Sequence, residues 1–245
     1  MTDLDAVRTA PPQPQKAGSA GSVPSGTPTE IGVARAAAYF ERIDPATAAQ
    51  HLEPVLAADP SSAAGWVLMA RIRLVLDQVD HALDAANRAI ELAPEDPRPL
   101  AIASRALTLL GRHEEAVTMA YRAVIAEPKN PLWHDRVAWS LLAAERQYAD
   151  AEQAARTAVG LDPDEAHYYF THGVTLDALG HADQARQAFL LSLKLEPENP
   201  VAQHRLAVLN GEAVREPEKK KRGWKLFGRR GGEVSAPVRP EEFLP

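Results

Sequence analysis

Eight histidines are the residues of this chain whose type best suits metal binding or proton transfer near neutral pH. A zinc site on a helix needs ligands three or four residues apart, or a compact set of histidine and cysteine ligands. His167 and His172 are five residues apart with no third ligand nearby, and the chain has no cysteine. We therefore expect structural or surface roles for the histidines, and no metal or other cofactor.

The sequence also lacks the patterns of an enzyme. Serine, histidine and aspartate all occur, but the chain contains no Gly-x-Ser-x-Gly elbow, glycine-rich phosphate loop or dinucleotide-binding fingerprint. No pair of carboxylates has a spacing that suggests general acid–base catalysis. The absence of cysteine excludes thiolate nucleophiles, disulfides and iron–sulfur clusters. We predict a non-enzymatic protein.

A basic segment with aromatic residues, residues 219–230, is the third feature with chemical potential. It contains seven basic residues and no acidic one, although the whole chain has a formal net charge of −6. Gly223 and Gly228 argue against a stable amphipathic helix there. The candidate interaction residues are Lys219, Lys220, Lys221, Arg222, Trp224, Lys225, Phe227, Arg229 and Arg230.

Four interpretations of this segment stay open. It is an inert tail, or it attracts an anionic membrane surface with its apolar side chains inserting. It could also contact nucleic-acid phosphate, although a short segment on an acidic body without a recognised motif is weak support for that. The fourth interpretation is docking on the acidic body of the same chain or on a partner protein.

The prolines divide the chain into three regions. Prolines mixed with Gly, Ser, Thr and Gln crowd residues 1–28, and the last ones follow Gly211. Both ends offer too little apolar surface to offset the entropy of ordering them, so we predict disordered arms at 1–28 and 212–245. Between them, prolines recur at intervals of 34, 34, 35 and 34 residues, at Pro60, Pro94, Pro128, Pro163 and Pro197.

Other residues recur in phase with these prolines. One column of small residues comprises Ala82, Ala116, Ala151 and Ala185, and a second comprises Ala70, Ser104, Ala138 and Gly173. Small side chains at fixed offsets allow two helix backbones to approach closely. Good N-cap residues follow the prolines, at Ser62, Asp96, Asn130, Asp164 and Asn199. The pattern predicts stacked pairs of helices.

These columns resemble the tetratricopeptide repeat, a 34-residue helix pair with a fixed pattern of aromatic, small and proline positions. Residues 166–199 are the closest copy, with Tyr169, Gly173, Leu176, Gly180, Ala185, Phe189 and Pro197 in register. The resemblance implies an all-α fold, a right-handed superhelical solenoid of antiparallel helix pairs. We assign repeats at 63–96, 97–130, 131–164 and 166–199, a degenerate capping repeat or a divergent fifth repeat at 29–62 and a closing helix at 200–211, so that the solenoid spans 29–211.

The resemblance also implies that the first helix of each pair lines a concave groove for a peptide or helix of a partner protein. Residues spaced i, i+3, i+7 and i+10 share one face of a helix. The candidate groove residues on these faces are Val67, Arg71, Leu74, Arg98, Arg105, Asp135, Trp139, His167, Phe170 and Asp177. Arginines would gather in the N-terminal half and aromatic residues in the C-terminal half. An acidic segment with an apolar anchor would complement them.

A simpler interpretation of the same residues also stays open: the arginines solvate an exposed face and the aromatic residues complete the packing between repeats. We predict a non-enzymatic scaffold or adaptor that binds an unidentified protein partner. The alternative is a tether to anionic membrane or nucleic acid through residues 219–230.

No apolar run approaches the roughly 20 residues of a membrane span, and residues 1–10 do not resemble a signal peptide, so we expect a cytoplasmic location.

Overall fold

Eleven α-helices make up the part of the chain that the structure, a computed structural model, describes: residues 26–42, 44–145 and 147–212. No β-strand occurs in these residues, and none of their helices is long and apolar enough to cross a bilayer. The helices are α1 (Pro28–Arg42), α2 (Pro45–Ala58), α3 (Ala63–Val75), α4 (Val79–Leu92), α5 (Pro97–Leu109), α6 (His113–Ala126), α7 (Pro131–Ala143), α8 (Tyr148–Leu161), α9 (Ala166–Ala178), α10 (Ala182–Leu195) and α11 (Pro200–Leu209).

The helices pack in antiparallel pairs, and the odd-numbered member of each pair also contacts its counterpart in the next pair. This arrangement confirms the predicted all-α solenoid. The predicted capping segment 29–62 contains α1 and α2, and the predicted closing segment 200–211 contains α11. The predicted N-terminal arm overlaps the structure by residues 26–28, where Pro28 already begins α1. The predicted C-terminal arm overlaps the structure at Glu212, and the rest of both predicted arms lies outside the described residues.

The odd-numbered helices from α3 onward begin at polar N-caps. The side chain of Ser62 accepts a hydrogen bond from the backbone N–H of Gly65, which satisfies one of the donors that a helix start leaves free. Asp96, Asn130 and Asn199 cap α5, α7 and α11 in the same manner. Proline at the first position of these three helices presets the backbone angle and lacks the N–H that would be unsatisfied there.

At α9 the predicted N-cap is wrong. Glu165, and not Asp164, caps this helix, because its carboxylate accepts a hydrogen bond of 3.1 Å from the backbone N–H of His167. Each cap lies two residues after the repeat proline, and Pro163 places Glu165 at that offset. Asp164 instead donates its backbone N–H to the side chain of Asp162.

The turns inside the pairs share one left-handed residue, which occupies the same place after each odd-numbered helix. Gly111 and Gly180 have φ of 75° and 77°, as expected for a conformation that costs glycine little. Asp77 and Glu145 adopt φ of 60° and 53° at the equivalent places, so a side chain is tolerated there.

The additional residue of the third repeat lies in the turn between α7 and α8. The interval of 35 residues between Pro128 and Pro163 predicts one additional residue, which the repeat columns place near residues 148–150, but α8 already begins at Tyr148. The turn at 144–147 has one residue more than the turns at 76–78, 110–112 and 179–181. It contains a second left-handed residue, Gln147, with φ of 56°. The turn therefore absorbs the insertion, and the helices keep their lengths.

The core consists largely of the small residues that recur in the sequence. Alanine at the second-helix column is fully buried in every repeat, at Ala82, Ala116, Ala151 and Ala185. The first-helix column is also buried, at Ala70, Ser104, Ala138 and Gly173. These side chains allow helices to pack closely without cavities.

Gly173 and Phe189 form a small-to-large pair that the other repeats lack. Phe189 is fully buried, and a Cβ atom placed on Gly173 would lie 2.7 Å from its ring. The position of Phe189 is occupied by alanine in the preceding repeats, at Ala86, Ala120 and Ala155. In the fourth repeat, the lack of a side chain at Gly173 on α9 therefore makes room for the aromatic ring of Phe189 on α10.

Candidate functional site

The candidate site is the surface formed by α3, α5, α7 and α9, which we call the groove. One position of the repeat lies on this surface in each of the four repeats. In successive repeats this position is occupied by Arg71, Arg105, Trp139 and Val174. Helices α3, α5, α7 and α9 are held next to one another by direct contacts between α3 and α5, α5 and α7, and α7 and α9. Side chains of successive repeats can therefore meet on this surface.

In the C-terminal half of the groove, α7 and α9 bring four predicted residues together. His167 Nε2 lies 3.2 Å from Asp135 Oδ2, and Asp135 is only 1 % exposed. The Trp139 ring stacks at 6.5 Å from the His167 ring and at 6.4 Å from Phe170. Such ring pairs add about 1 kcal/mol each beyond the area they bury.

Trp139 is held in place by a hydrogen bond between the helices. Its indole Nε1–H donates to Thr171 Oγ1 on α9 over 3.1 Å. Thr171 is fully buried, whereas Trp139 is half-buried. Phe170 is fully buried and packs against Phe189, so it contributes to the packing between helices as well as to this surface.

The electrostatics of this half depend on a buried ion pair. Burial lowers the pKa of His167, but the charge of Asp135 and the hydrogen bond to it outweigh burial, and the pKa is raised. The positive charge of Arg136 lowers the pKa of His167. Burial lowers the pKa of Arg136 itself, and the attraction of Asp135 opposes that shift only in part. Asp135 thus favours the protonated forms of both His167 and Arg136.

Two polar groups of this cluster have no hydrogen-bond partner among the described residues. Asp135 Oδ1 is buried without a donor. The residue Arg136 is 6 % exposed, and its guanidinium forms no hydrogen bond or ion pair with a described residue. Leaving a buried atom such as Asp135 Oδ1 without a hydrogen bond costs about 1 to 3 kcal/mol.

In the N-terminal half the predicted arginines have three different environments. Arg71 lies on the exposed surface with its guanidinium 5.4 Å from the centre of the Phe40 ring on α1. Arg98 is exposed and bonds to Asp96, the N-cap of its own helix. Arg105 is buried, with 3 % exposure. The structure therefore gives each of these arginines a different environment.

The other predicted groove residues divide between core and surface. Val67 and Leu74 are buried, with 7 % and 5 % exposure, so they belong to the packing of α3. Asp177 is partly exposed, and its carboxylate lies 3.9 Å from the guanidinium of Arg205 on α11. That contact connects the end of the groove to the last helix.

Charge is distributed unequally between the two sets of helices. The odd-numbered helices from α3 to α11 carry mainly basic residues, namely Arg71, Arg73, Arg98, Arg105, Arg136 and Arg205 against Asp135 and Asp177. The even-numbered helices from α4 to α10 carry eight acidic residues, namely Asp80, Asp84, Glu91, Glu114, Glu115, Asp150, Glu152 and Asp183, against five basic ones, namely Arg88, Arg122, Arg156, Arg186 and Lys194. The basic excess of the odd-numbered helices lies on α3 and α5, whereas α7 and α9 carry Arg136 against Asp135 and Asp177.

Two functional candidates are absent from the sequence prediction, Arg136 and Arg205. Both lie one residue away from the predicted helix face, so the spacing of i, i+3, i+7 and i+10 that defines this face omits them. A signal for them exists in the repeat alignment: Leu68 and Ile102 occupy the same repeat position in the first two repeats, and Thr171 occupies it in the fourth. A change from apolar to charged residues at one repeat position indicates a local change of environment.

The predicted segment 219–230 lies outside the described residues.

The fold and this surface define a class: a solenoid of helix pairs whose first helices share one continuous face. Models of the tetratricopeptide repeat match residues 39–105 and 138–200, which together exceed half of the chain. The chain belongs to the tetratricopeptide repeat family. No curated protein matches it significantly.

Solved structures support the fold. A thermophilic TPR protein of Thermus thermophilus aligns with a TM-score of 0.65 at 17 % identity, over 74 % of this chain and 98 % of that one. PilW, a type IV pilus biogenesis factor, aligns with a TM-score of 0.68 at 18 % identity, over 77 % and 89 %. YrrB, a TPR protein with an unusual peptide-binding site, aligns with a TM-score of 0.55 at 18 % identity, over 71 % and 89 %.

Proposed function

We propose that this protein is a non-enzymatic scaffold that binds a peptide or helix of a partner protein in the groove. The observation that carries the proposal is a pair of polar groups that form no hydrogen bond with a described residue, namely the buried Asp135 Oδ1 and the guanidinium of Arg136. The carbonyl groups of a bound peptide backbone supply acceptors of the kind that the Arg136 guanidinium lacks among the described residues. The peptide-binding site of YrrB, a protein of the same fold, supports this role.

The groove is expected to hold its ligand by charge pairing and by an apolar anchor. The exposed Arg71 suits a carboxylate, the buried Arg105 supports this surface from within the solenoid, and the half-buried face of Trp139 suits an apolar or aromatic side chain. Phe170, His167 and Asp177 position or border that anchor site. Val67 and Leu74 support α3 from beneath, and Arg98 contributes charge at the edge.

A triple substitution tests the proposal. Replacing Arg71, Arg105 and Trp139 by Ala should abolish capture of the partner in an affinity pull-down from the native host. The matched control replaces Arg88, Arg122 and Tyr121, two arginines and one aromatic residue on α4 and α6, and should leave capture intact. Circular dichroism checks that both triple variants stay helical. Undiminished capture by the groove variant would contradict the proposal.

The basic segment 219–230 supports a second candidate function, a peripheral tether to anionic membranes. Seven basic residues near a leaflet would contribute roughly 1 kcal/mol each, with Trp224 and Phe227 inserting at the interface. Co-sedimentation with vesicles of anionic lipid compares the natural chain with one in which Lys219, Lys220 and Lys221 are replaced by Glu. Equal pelleting of the two chains would remove this candidate. The expected cytoplasmic location is compatible with either role, and cell fractionation tests it.

A further inference from the structure

Helix α10 carries an apolar patch on its solvent side. Leu190 and Leu191 are 51 % and 45 % exposed, and Leu195, about one turn after Leu191, is 41 % exposed. The buried side of the helix is formed by other residues, namely Ala185, Ala188, Phe189 and Ser192. Adjacent exposed apolar side chains, unlike scattered single ones, mark interaction sites. The patch is therefore a candidate interface.

The two adjacent leucines are specific to the fourth repeat. In the three preceding repeats, residues of other types, none of them aliphatic, occupy the positions of Leu190 and Leu191. They are Asn87 and Arg88 on α4, Tyr121 and Arg122 on α6, and Arg156 and Thr157 on α8. Since these three repeats form the same helix pair, a packing requirement of the solenoid does not explain the two leucines.

Opposite charges lie at the two ends of the patch. Asp183 lies seven residues before Leu190, and Lys194 lies four residues after it. Because these spacings bring residues to the same face of a helix, Asp183, Leu190 and Lys194 are aligned on the solvent side of α10. The side chain of Asp183 is 93 % exposed, and Lys194 is exposed as well. Although Asp183 accepts a hydrogen bond from Arg186 of the same helix, this exposure leaves it accessible to a second cation.

Of the helices α4, α6, α8 and α10, only α10 has opposite charges at these two repeat positions. The positions are occupied by Asp80 and Glu91 on α4, by Glu114 and Ile125 on α6, and by Ala149 and Gly160 on α8. If α10 packs antiparallel on α10 of a second copy, Asp183 of each copy meets Lys194 of the other, and two ion pairs form at once. A two-fold axis requires a surface that complements itself in this manner.

The charges of α10 favour a second copy over the basic segment of the same chain. The helix carries Arg186 and Lys194 against the single carboxylate of Asp183. Residues 219–230 would add seven positive charges to this helix, which is already positive. A second copy of α10 instead supplies one carboxylate for each Lys194.

The two ion pairs determine how the leucines meet. If residue 183 of one copy faces residue 194 of the other, residue 190 faces residue 187. The two Leu190 residues then lie three residues apart along the helix axis, which is about 4.5 Å. Each Leu191 lies beside Gln187 of the other copy. Burial of the leucine side chains favours association, and the ion pairs select the antiparallel orientation.

We propose that this protein forms a two-fold symmetric dimer through antiparallel contact of α10 with α10 of a second copy. The leucine patch forms the centre of the interface, and the ion pairs of Asp183 and Lys194 form its two ends. The buried side of α10 faces α9, where Phe189 packs against Phe170, so the dimer leaves the groove uncovered in both copies. One helix from each copy is a small interface, below about 1,200 Å², so we expect a dissociation constant of about 10 to 100 µM.

Sedimentation velocity of the full chain between about 1 µM and about 1 mM measures the association. The natural chain should change from monomer to dimer over this range. Leu190→Arg with Leu191→Thr copies the residues of α8 and should weaken the dimer at least about 10-fold. The matched control, Ile125→Arg, replaces a 78 % exposed apolar side chain on α6 and should leave association unchanged. A natural chain that stays monomeric, or an equal loss in the control, would overturn the proposal.

Charge reversal tests the antiparallel orientation. Asp183→Lys alone and Lys194→Asp alone each place like charges at both ends of the interface, and each should weaken association at least about 5-fold. An equimolar mixture of the two single variants restores both ion pairs between unlike chains, and the double variant restores them between like chains. Both samples should therefore dimerise like the natural chain.

Circular dichroism checks that every variant stays helical. If the mixture and the double variant remain helical but do not regain association, the antiparallel pairing is wrong and the proposal is overturned. The pull-down with the groove variant tests a different surface, so the proposed function is judged separately.

Discussion

The two halves of the groove are stabilised by different interactions, although the same repeated backbone builds both. In the N-terminal half, Arg71 and Arg98 keep their charges at the surface, against Phe40 and Asp96. In the C-terminal half, polar contacts between α7 and α9 are buried, as in the pair of Asp135 and His167. The repeat backbone therefore sets where helices lie, and a few side chains at equivalent positions decide whether the surface is solvated or becomes a polar cluster.

The largest expected effects come from the pair of Gly173 and Phe189, which only the fourth repeat contains. Phe189→Ala should lower the free energy of unfolding by about 3 to 5 kcal/mol, because it empties a fully buried site. Gly173→Ala should cost about 1 to 3 kcal/mol, because its Cβ would collide with the Phe189 ring. Urea unfolding of the single and double variants measures both.

The double variant sharpens the comparison between repeats. It restores the small-on-small arrangement of the preceding repeat, where Ala138 and Ala155 occupy the same positions. Its loss of stability should therefore be smaller than the sum of the two single losses. Additive losses would show that the glycine and the ring do not compensate each other.

The next effect concerns the buried ion pair. Asp135→Asn should cost about 3 kcal/mol, because it leaves the charges of His167 and Arg136 buried without their counter-charge. Since the folded-state pKa of His167 is raised, its contribution is fully present below about pH 6.5 and is lost as the pH rises through the raised value. The difference between the natural chain and the variant should therefore be larger at pH 5.5 than at pH 9.

Asp177 provides the control for this pH dependence. Its partner Arg205 stays charged over the whole range, so the effect of Asp177→Asn should not vary between pH 5.5 and pH 9. Urea unfolding at the two pH values checks both variants. If the effect of Asp135→Asn is the same at both values, His167 is not charged in the pair.

A smaller effect is expected at the hydrogen bond between Trp139 and Thr171. Thr171→Val keeps the shape of the side chain but removes the acceptor of the indole N–H, and should cost about 1 kcal/mol. The indole proton resonance should shift at the same time. The control is Thr157→Val on the exposed surface of α8, which should change stability by no more than about 0.5 kcal/mol.

The smallest effect belongs to the N-terminal half. Arg98→Ala removes an exposed ion pair and should change the free energy of unfolding by about 0.5 kcal/mol or less. Asp96→Ala removes the same ion pair together with the N-cap of α5, so about 1 kcal/mol is expected. Thermal unfolding compares the two, and a loss for Arg98→Ala as large as that for Asp135→Asn would abolish the contrast between the halves.

The sequence predicts the solenoid well because its physical causes are local and repeated. Regular prolines, polar caps and small-residue columns each act within one helix pair, and their agreement in four repeats compensates for single errors. The error at Asp164 shows the limit: two adjacent acidic residues are equally good caps, and only the offset from Pro163 selects Glu165. The insertion before Tyr148 is another case, because periodicity counts residues without showing which turn holds the additional one.

The groove is less predictable because contacts between repeats decide it. The face rule places Asp135, Trp139, His167 and Phe170 together, and the structure brings these four into contact. The spacing that defines the face omits Arg136, which lies one residue away from it. The same spacing treats Arg98 like Arg71, although Arg98 forms an ion pair with Asp96 of its own helix start. Which charge meets which neighbour depends on distances that sequence spacing alone does not contain.

The turn between α7 and α8 has a practical consequence for protein engineering. It already accommodates an additional residue, with Glu145 and Gln147 in left-handed conformations, while the helices on both sides keep the lengths found in the other repeats. A loop that lengthens without displacing its flanking helices is a natural insertion point. An epitope or a small reporter domain placed at residues 144–147 should therefore leave the stacked array undisturbed.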